Sequence, residues 1–442
     1  MHRTIFVGLF LWLVPLTALA KNRVLVISLD GMRPEFSHSS QWEAPTLQRL
    51  AREGASAASM TPVFPTVTYV NHTTLITGVR PDHHGIYGNE QFDPKTGPLK
   101  TWNWDANLIK VPTLFNLAHK AGLVTASFSW PVTVGAPVDY LMPEIFRVEG
   151  GAETTEQLLR KDSTPGLLDE AEKLSPGPFP EKYDQIDRFM TRILVQTWQK
   201  HRPRMAFLHL VAVDSAQHRH GTDAPEVHQA LQELDSDLAA VIAAVDPKDT
   251  TVIVLGDHGF QIVHQRVSLN HMFWEHGWLH LKQPGQDAVA GWTVYAQTHG
   301  GSATVFCRDP ALAPQVLELL REHAGAAYEV VDRDELKKLG TLPENMLGPA
   351  PAPRVICAVS ARPGYMLAWQ PTHPFSEPVE PALGSHGHLP EYVPTGLVLW
   401  GAGVKPGQDL GDIVNLDVAP TIAKLLGLST RGMQGEPLKF QH

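Results

Sequence analysis

"NRVLVISLDGMRP", residues Asn22 to Pro34, is the stretch whose reading decides the architecture. From Val24 to Leu29 the run is almost unbrokenly apolar, as in a strand covered on both faces within a parallel sheet. Asp30-Gly31 ends it. "APTLQRLAREG" (Ala44 to Gly54) follows, with Leu47, Leu50 and Ala51 at helical spacing before a glycine stop. The alternation then recurs. "VPTLFNLAHKAG" reads as a helix leading into the strand "LVTASFSW", and "PRMAFLHLVAVDSAQH" as a strand running out at Asp214. "APEVHQALQELDSDLAAVIAAV" places Val227, Leu231, Leu234, Leu238, Val241 and Ile242 on one helical face. "TTVIVLGDHGF" is a buried strand ending at Asp257-His258. "TGLVLWGAG" is a late strand, and "LDVAPTIAKLLGL" a helix with Asp417 as its cap. Strands alternating with helices predict an α/β fold: a mostly parallel central sheet with helices on both faces. Ligands of such folds bind outside the carboxyl ends of the strands, where Asp30, Asp214 and Asp257 fall. The stretch from about 260 to 382 breaks the rhythm with Pro, Gly and aromatics. It reads as an inserted cap within one domain spanning 21–442.

The chain has 442 residues, 43% of them hydrophobic and 19% charged, as an ordinary globular enzyme does. A formal charge of −10 with no basic stripe argues against a nucleic-acid-binding surface. Histidine is abundant, at 22 residues, so metal ions could supply local positive charge. The N-terminus, "MHRTIFVGLFLWLVPLTALAKN", has a basic start, an apolar run from Ile5 to Leu16, and Ala18-Leu19-Ala20 as a cleavage site. The run is too short to span a bilayer and is broken by Pro15, which argues against a stable membrane anchor. The expectation is a signal peptide over residues 1–20 and a periplasmic or extracellular protein. Cys307 and Cys357 could form one disulfide or remain two buried thiols, and neither sits in a reactive motif.

In "VAVDSAQHRHG", Asp214 and His218 stand four apart, so one helical turn points both at a single place. A carboxylate with an imidazole suits a divalent metal, although a capping Asp beside an unrelated His gives the same pattern. In "VLGDHG", Asp257 and His258 can converge where a strand bends into a loop, and Gly256 and Gly259 permit close backbone approach or unusual dihedrals. The competing reading is a tight turn capped by Asp. "ALGSHGHLPEY" sets His386 among small residues; alone it would be a surface histidine. As a set, Asp30, Asp214, Asp257, His218, His258 and His386 supply ligands for two cations still open to substrate. Mixed carboxylate and imidazole favours zinc, with manganese or iron as alternatives.

The ordered motifs "SLDGMRP … PTVTYVNHTTLITGVRPDHHGIYGN … VDSAQH … LGDHG … GSHGH" resemble the nucleotide pyrophosphatase/phosphodiesterase branch of the alkaline-phosphatase superfamily. The resemblance runs from Val24 to about Leu428 and implies an alkaline-phosphatase-like fold. The family's nucleophile pattern (threonine, aromatic, proline, asparagine, histidine) falls on Thr68-Tyr69-Val70-Asn71-His72. The resemblance therefore implies Thr68, not Thr66, as nucleophile, and Asn89 as a donor to the phosphoryl oxygen. It implies one metal on Asp30, Thr68, Asp257 and His258, and a second on Asp214, His218 and His386. Three departures bear on substrate preference: Val70 replaces proline, Tyr69 replaces phenylalanine, and His388 replaces an aromatic.

Chemistry supports the same assignment. A threonine hydroxyl needs activation to attack phosphorus, and coordination to a dication provides it. "NHTTLITG" can continue as a helix, placing Thr68 near an N-terminus whose N–H groups and dipole favour anions. The implied route is two in-line displacements through a phosphothreonine, with Asn89 and the Thr68 N–H holding developing charge. Tyr69 could stack a nucleobase or aryl group, or simply pack. A neutral donor such as Asn89 suits a monoanionic diester better than a monoester dianion. The rival enzyme readings are a phosphonoacetate hydrolase or a phosphomonoesterase on the same metals. A sulfatase would need a cysteine or serine where Thr68 stands. A non-enzymatic metal- or nucleotide-binding protein is the remaining alternative, against which the full ligand set speaks.

Overall fold

The computed structural model describes residues 22–93, 97–148, 150–347 and 354–441, so the expected signal segment lies outside the described residues. Eight strands form the central sheet: β1 (Arg23–Leu29), β2 (Ala55–Ser56), β3 (Thr125–Phe128), β4 (Tyr140–Met142), β5 (Met205–Leu210), β6 (Thr250–Leu255), β7 (Leu397–Gly401) and β8 (Gln408–Asp409). Their lateral order is β8-β2-β7-β6-β1-β5-β3-β4. β1 lies between β5 and β6, parallel to both, and every one of its residues is buried. β7 alone runs antiparallel to its neighbours β6 and β2, which makes the sheet mixed but mostly parallel.

Successive side chains of β1 point to opposite faces, and each face has its own core. Leu25, Ile27 and Leu29 pack in a cluster with Leu47 and Leu50 of α1 (Pro45–Glu53), Ile193 and Leu194 of α3 (Tyr183–His201), and the expected face of α5 (Pro225–Ala243), from Val227 to Ile242. Val24 and Val26 point the other way, into a cluster with Leu75 and Ile76 of α2 (Thr68–Thr77) and Ile422 of α6 (Val418–Leu426). Burying each such side chain stabilises the fold by roughly 1.5–3 kcal/mol. Asp417 holds the cap position of α6, but its side chain accepts from the Glu436 N–H at 2.8 Å instead of capping the helix.

Beyond β6 the chain makes a long excursion. A four-stranded antiparallel sheet (Val294–Thr298, Ser302–Cys307, Arg354–Ala361 and Tyr328–Val331, in that lateral order) encloses a third hydrophobic cluster. Strands Gln261–Val267 and Ser376–Ser385 close the excursion at its base, pairing antiparallel with Gln261 opposite Ser385 and Ile262 opposite Gly384. Cys307 and Cys357 are buried free thiols, not a disulfide. Among the described residues no helix is long and apolar enough to cross a membrane.

Candidate active site

Three strand ends build the site. Asp30 follows β1, and Gly31 turns the chain with φ of +69° while its N–H donates to Asp257 Oδ1 at 3.2 Å. Gly256 and Gly259 flank Asp257-His258 because neighbouring atoms leave no room for a side chain at either position. A Cβ on Gly256 would fall 2.1 Å from Thr395 Oγ1, and one on Gly259 2.2 Å from the Pro394 carbonyl oxygen. After β5 the chain enters α4 (Ala212–His220), which sets Asp214 in its first turn and His218 one turn on. The start of α4 is held by Asp187 of α3, whose carboxylate accepts from Val211 N–H at 3.0 Å and Ala212 N–H at 2.8 Å. α2 opens at Thr68, only 8% exposed, which places this hydroxyl at a helix N-terminus.

Six of the sequence-selected side chains meet here, with the Thr68 hydroxyl beside them. Asp30, Asp257 and His258 form one group whose potential ligand atoms lie within 4.8 Å of one another; Asp214, His258 and His386 form another. His258 thus stands between the two groups. Its Nε2 lies 3.1 Å from Asp257 Oδ2, 3.4 Å from Asp30 Oδ1 and 3.4 Å from Thr68 Oγ1. Its ring stacks on His386 with centroids 3.6 Å apart. His218 falls outside the tighter group, at the rim with its side chain 41% exposed, and its Nε2 is 3.5 Å from Asp214 Oδ1.

Two observations show that these residues fit divalent cations. The first is that Asp30 Oδ1, Asp214 Oδ1 and Asp257 Oδ2 are buried without a hydrogen-bond partner, a costly state for carboxylate oxygens unless cations meet them. The second concerns the histidines. His218, His258 and His386 each turn Nδ1 to a backbone carbonyl, of Gly384 (3.1 Å), Gly259 (3.2 Å) and Thr66 (3.0 Å) respectively. A carbonyl only accepts, so Nδ1 carries the proton and Nε2 keeps a lone pair for a metal. Burial sets the electrostatics. Desolvation, reinforced by Asp257 and Asp214, holds the Asp30 carboxyl well above the usual range, and burial pushes Asp257 up to about 6. Burial likewise brings His258 down to about 3 and His386 well below its ordinary value. Cations would favour ionised carboxylates and neutral imidazoles together.

Asn89 Oδ1 accepts from the Tyr69 N–H at 2.9 Å, which leaves its NH₂ group as the donor at the pocket wall. Tyr69, for which stacking and packing were both open, packs. Its ring is fully buried with Val63, Val67 and Val70, meets Trp102 edge-on at 5.3 Å, and its hydroxyl donates to Glu144 at 2.9 Å. Tyr69 thus packs into that cluster while also standing among the residues that line the cavity. His388 is buried too, bonded to the Tyr365 carbonyl at 2.9 Å, and Arg80 donates to the Leu339 carbonyl. Sequence reading missed His209 and Glu144. His209, buried in β5, faces Asp30 Oδ2 at 3.0 Å through Nε2 and Glu144 Oε2 at 2.7 Å through Nδ1. Burial disfavours its charge, but the bonds to Asp30 and Glu144 outweigh that and raise it well above the ordinary histidine range. The only sequence signal was a polar residue in an otherwise apolar strand.

The site opens into a cavity of about 430 Å³, walled beyond the carboxylates by Trp102, Ile145, Phe146, Leu159, Phe179 and Met190. An α/β sheet with a candidate two-metal basin at its carboxyl ends defines a hydrolase of the metal-assisted kind. The family is set by the sequence itself. Residues 24–388 match the Type I phosphodiesterase / nucleotide pyrophosphatase family, and the chain belongs to it. Human ectonucleotide pyrophosphatase/phosphodiesterase family member 1 is 26% identical over 245 residues, covering 54% of this chain and 23% of that one. Human family member 7 is 24% identical over 262 residues, 56% of this chain and 50% of its own. The chain thus spans at most about half the length of these two relatives. The solved structure of human ectonucleotide pyrophosphatase/phosphodiesterase 5 shares the fold at a TM-score of 0.66 and 17% identity, covering 94% of this chain and 97% of that one. The murine protein, solved as an inactive variant in complex with AMP, gives the same values.

Proposed function

We propose that the protein hydrolyses phosphodiester or pyrophosphate bonds, those of nucleotides foremost, with Thr68 as nucleophile. In this reading Asp30, Thr68, Asp257 and His258 hold one divalent cation and Asp214, His218 and His386 the other, zinc being the expected metal at both. Bound there, the cations supply Lewis-acid activation of the hydroxyl and of the phosphoryl oxygens. The observation that carries the reading is Thr68: its Oγ1 opens helix α2, 3.4 Å from His258 Nε2 and beside the orphaned carboxylate oxygens. Thr68 Oγ1 attacks phosphorus, one ester oxygen departs, and water then cleaves the phosphothreonine and restores the hydroxyl. The N-terminus of α2 and the Asn89 amide offer hydrogen-bond donors to the phosphoryl oxygens.

The apolar wall of the cavity favours diesters. A monoester leaves that wall unfilled, whereas the second substituent of a diester covers it. The AMP bound to the murine neighbour supports a nucleoside as that substituent. We also propose export, on the pattern of residues 1–20. A substrate panel on zinc-loaded protein tests the function. The nitrophenyl ester of thymidine monophosphate is expected to exceed nitrophenyl phosphate in kcat/KM by about ten-fold or more, roughly 1.4 kcal/mol of transition-state discrimination. Equal or reversed efficiencies would favour a phosphomonoesterase, and selective cleavage of phosphonoacetate the corresponding phosphonate hydrolase.

A further inference from the structure

One carboxylate outside the ligand set touches both halves of the site. Glu144 Oε1 accepts from the hydroxyl of Tyr69, the residue that follows the nucleophile, and Oε2 meets His209 Nδ1. His209 Nε2 meets Asp30 Oδ2, and its Nδ1 also lies 3.0 Å from the Ser129 carbonyl. The backbone N–H of Tyr69 is in turn held by Asn89. The hydrogen bonds Tyr69–Glu144–His209–Asp30 thus run from the first turn of α2 to the end of β1, with the Tyr69 backbone held in addition by Asn89.

Each ring nitrogen of His209 faces only acceptors: a carboxylate on one side, a carboxylate and a carbonyl on the other. The ring therefore donates in both directions and cannot itself ligate a cation. By binding Oδ2 of Asp30 it leaves Oδ1, the oxygen without a partner, turned toward His258 and the candidate metal. The register fixes the ring, since His209 pairs with Ser28 across β5 and β1, two residues before Asp30.

We propose that His209 and Glu144 are positioning residues that present Asp30 to the metal it shares with Thr68, Asp257 and His258. This rests on the two-metal reading above. Partners of this kind orient ligands and typically change metal affinity by about 10–100-fold when removed.

The experiment uses two shape-matched substitutions. His209→Gln keeps an amide nitrogen near the place of Nε2, and so a donor to Asp30. His209→Asn keeps one near Nδ1 and loses Asp30. Zinc affinity and stoichiometry are measured by competition with a chromophoric chelator, with kcat/KM followed alongside. We expect wild type to hold two ions and His209→Asn to weaken one of them by about 10–100-fold, while His209→Gln, which keeps the bond to Asp30 and loses only that to Glu144, weakens the same ion clearly less than His209→Asn does. Should His209→Asn fail to fold, Glu144→Ala, at a partly exposed position, is expected to weaken the same single ion. Equal losses in His209→Gln and His209→Asn, or wild-type affinity in both His209→Asn and Glu144→Ala, would overturn the positioning role alone. Wild-type protein that binds no ions would overturn this inference and the proposed function together.

Discussion

Asp187→Asn isolates a single buried charge at the foundation of the site. Asp187 is 3% exposed and accepts the N–H groups of Val211 and Ala212, the entry to the helix that carries Asp214 and His218. Two effects oppose each other. Burial disfavours the carboxylate, the backbone donors favour it, and burial wins, raising the group from 3.8 to about 7. The folded protein therefore keeps the proton up to about pH 7, whereas the unfolded chain loses it near pH 4. Between these limits the native state binds more protons, so the contribution of Asp187 to stability falls as pH rises. A shift of about three units at 1.36 kcal/mol each amounts to roughly 4 kcal/mol. Asparagine has the same shape and does not titrate. Urea unfolding of wild type and Asp187→Asn, from pH 4 to 8 with chelator present, should show the wild-type advantage shrinking by roughly 4 kcal/mol up to pH 7 and levelling off above it. The other carboxylates titrate equally in both proteins and cancel. A difference that stays flat, or grows with pH, would mean that the two backbone donors outweigh desolvation.

Thr68→Ala should lose several orders of magnitude in kcat while still binding metal, as loss of a covalent nucleophile does. Thr66→Ala removes only the hydroxyl's bond to the His388 carbonyl at 2.8 Å, so unfolding should show a cost of about 1 kcal/mol with activity largely kept; reversed behaviour of the two would shift the nucleophile by two residues. Chelation should abolish turnover and zinc restore it, with Asp257→Asn lowering both metal content and rate; full activity of metal-free protein would refute the two-cation reading. Protein recovered from its native compartment should begin at or near Lys21, and a full-length chain embedded in membrane would refute export.

The parts of the fold that sequence reveals are those written in local periodicity. Val24 to Leu29 announced a strand buried on both faces, and Val227 to Ile242 announced one side of a helix. Asp30, Asp214 and Asp257 were visible because each ends or closely follows such an apolar run. His218 was visible through its four-residue offset from Asp214. What stayed hidden depends on pairing across the chain. His209 matters because β5 lies beside β1 with His209 level with Ser28, and nothing near position 209 encodes that register. Glu144 sits in an irregular segment after β4 and gains its partners from β5 and α2. For Tyr69 the sequence left stacking and packing open, because an aromatic beside a reactive hydroxyl fits either role, and only the assembled cluster shows the neighbours its ring packs against.

The excursion that begins after His258 and returns just before His386 is tied at its base by the pairing of Gln261 with Ser385 and of Ile262 with Gly384. Loop-closure cost grows only slowly with length once the ends are fastened. The segment between those ties supports the site from behind: the Gly301 N–H donates to the His386 carbonyl, while the residues lining the cavity come from elsewhere in the chain, so exchanging the segment would change how His386 is held and leave the cavity wall as it is.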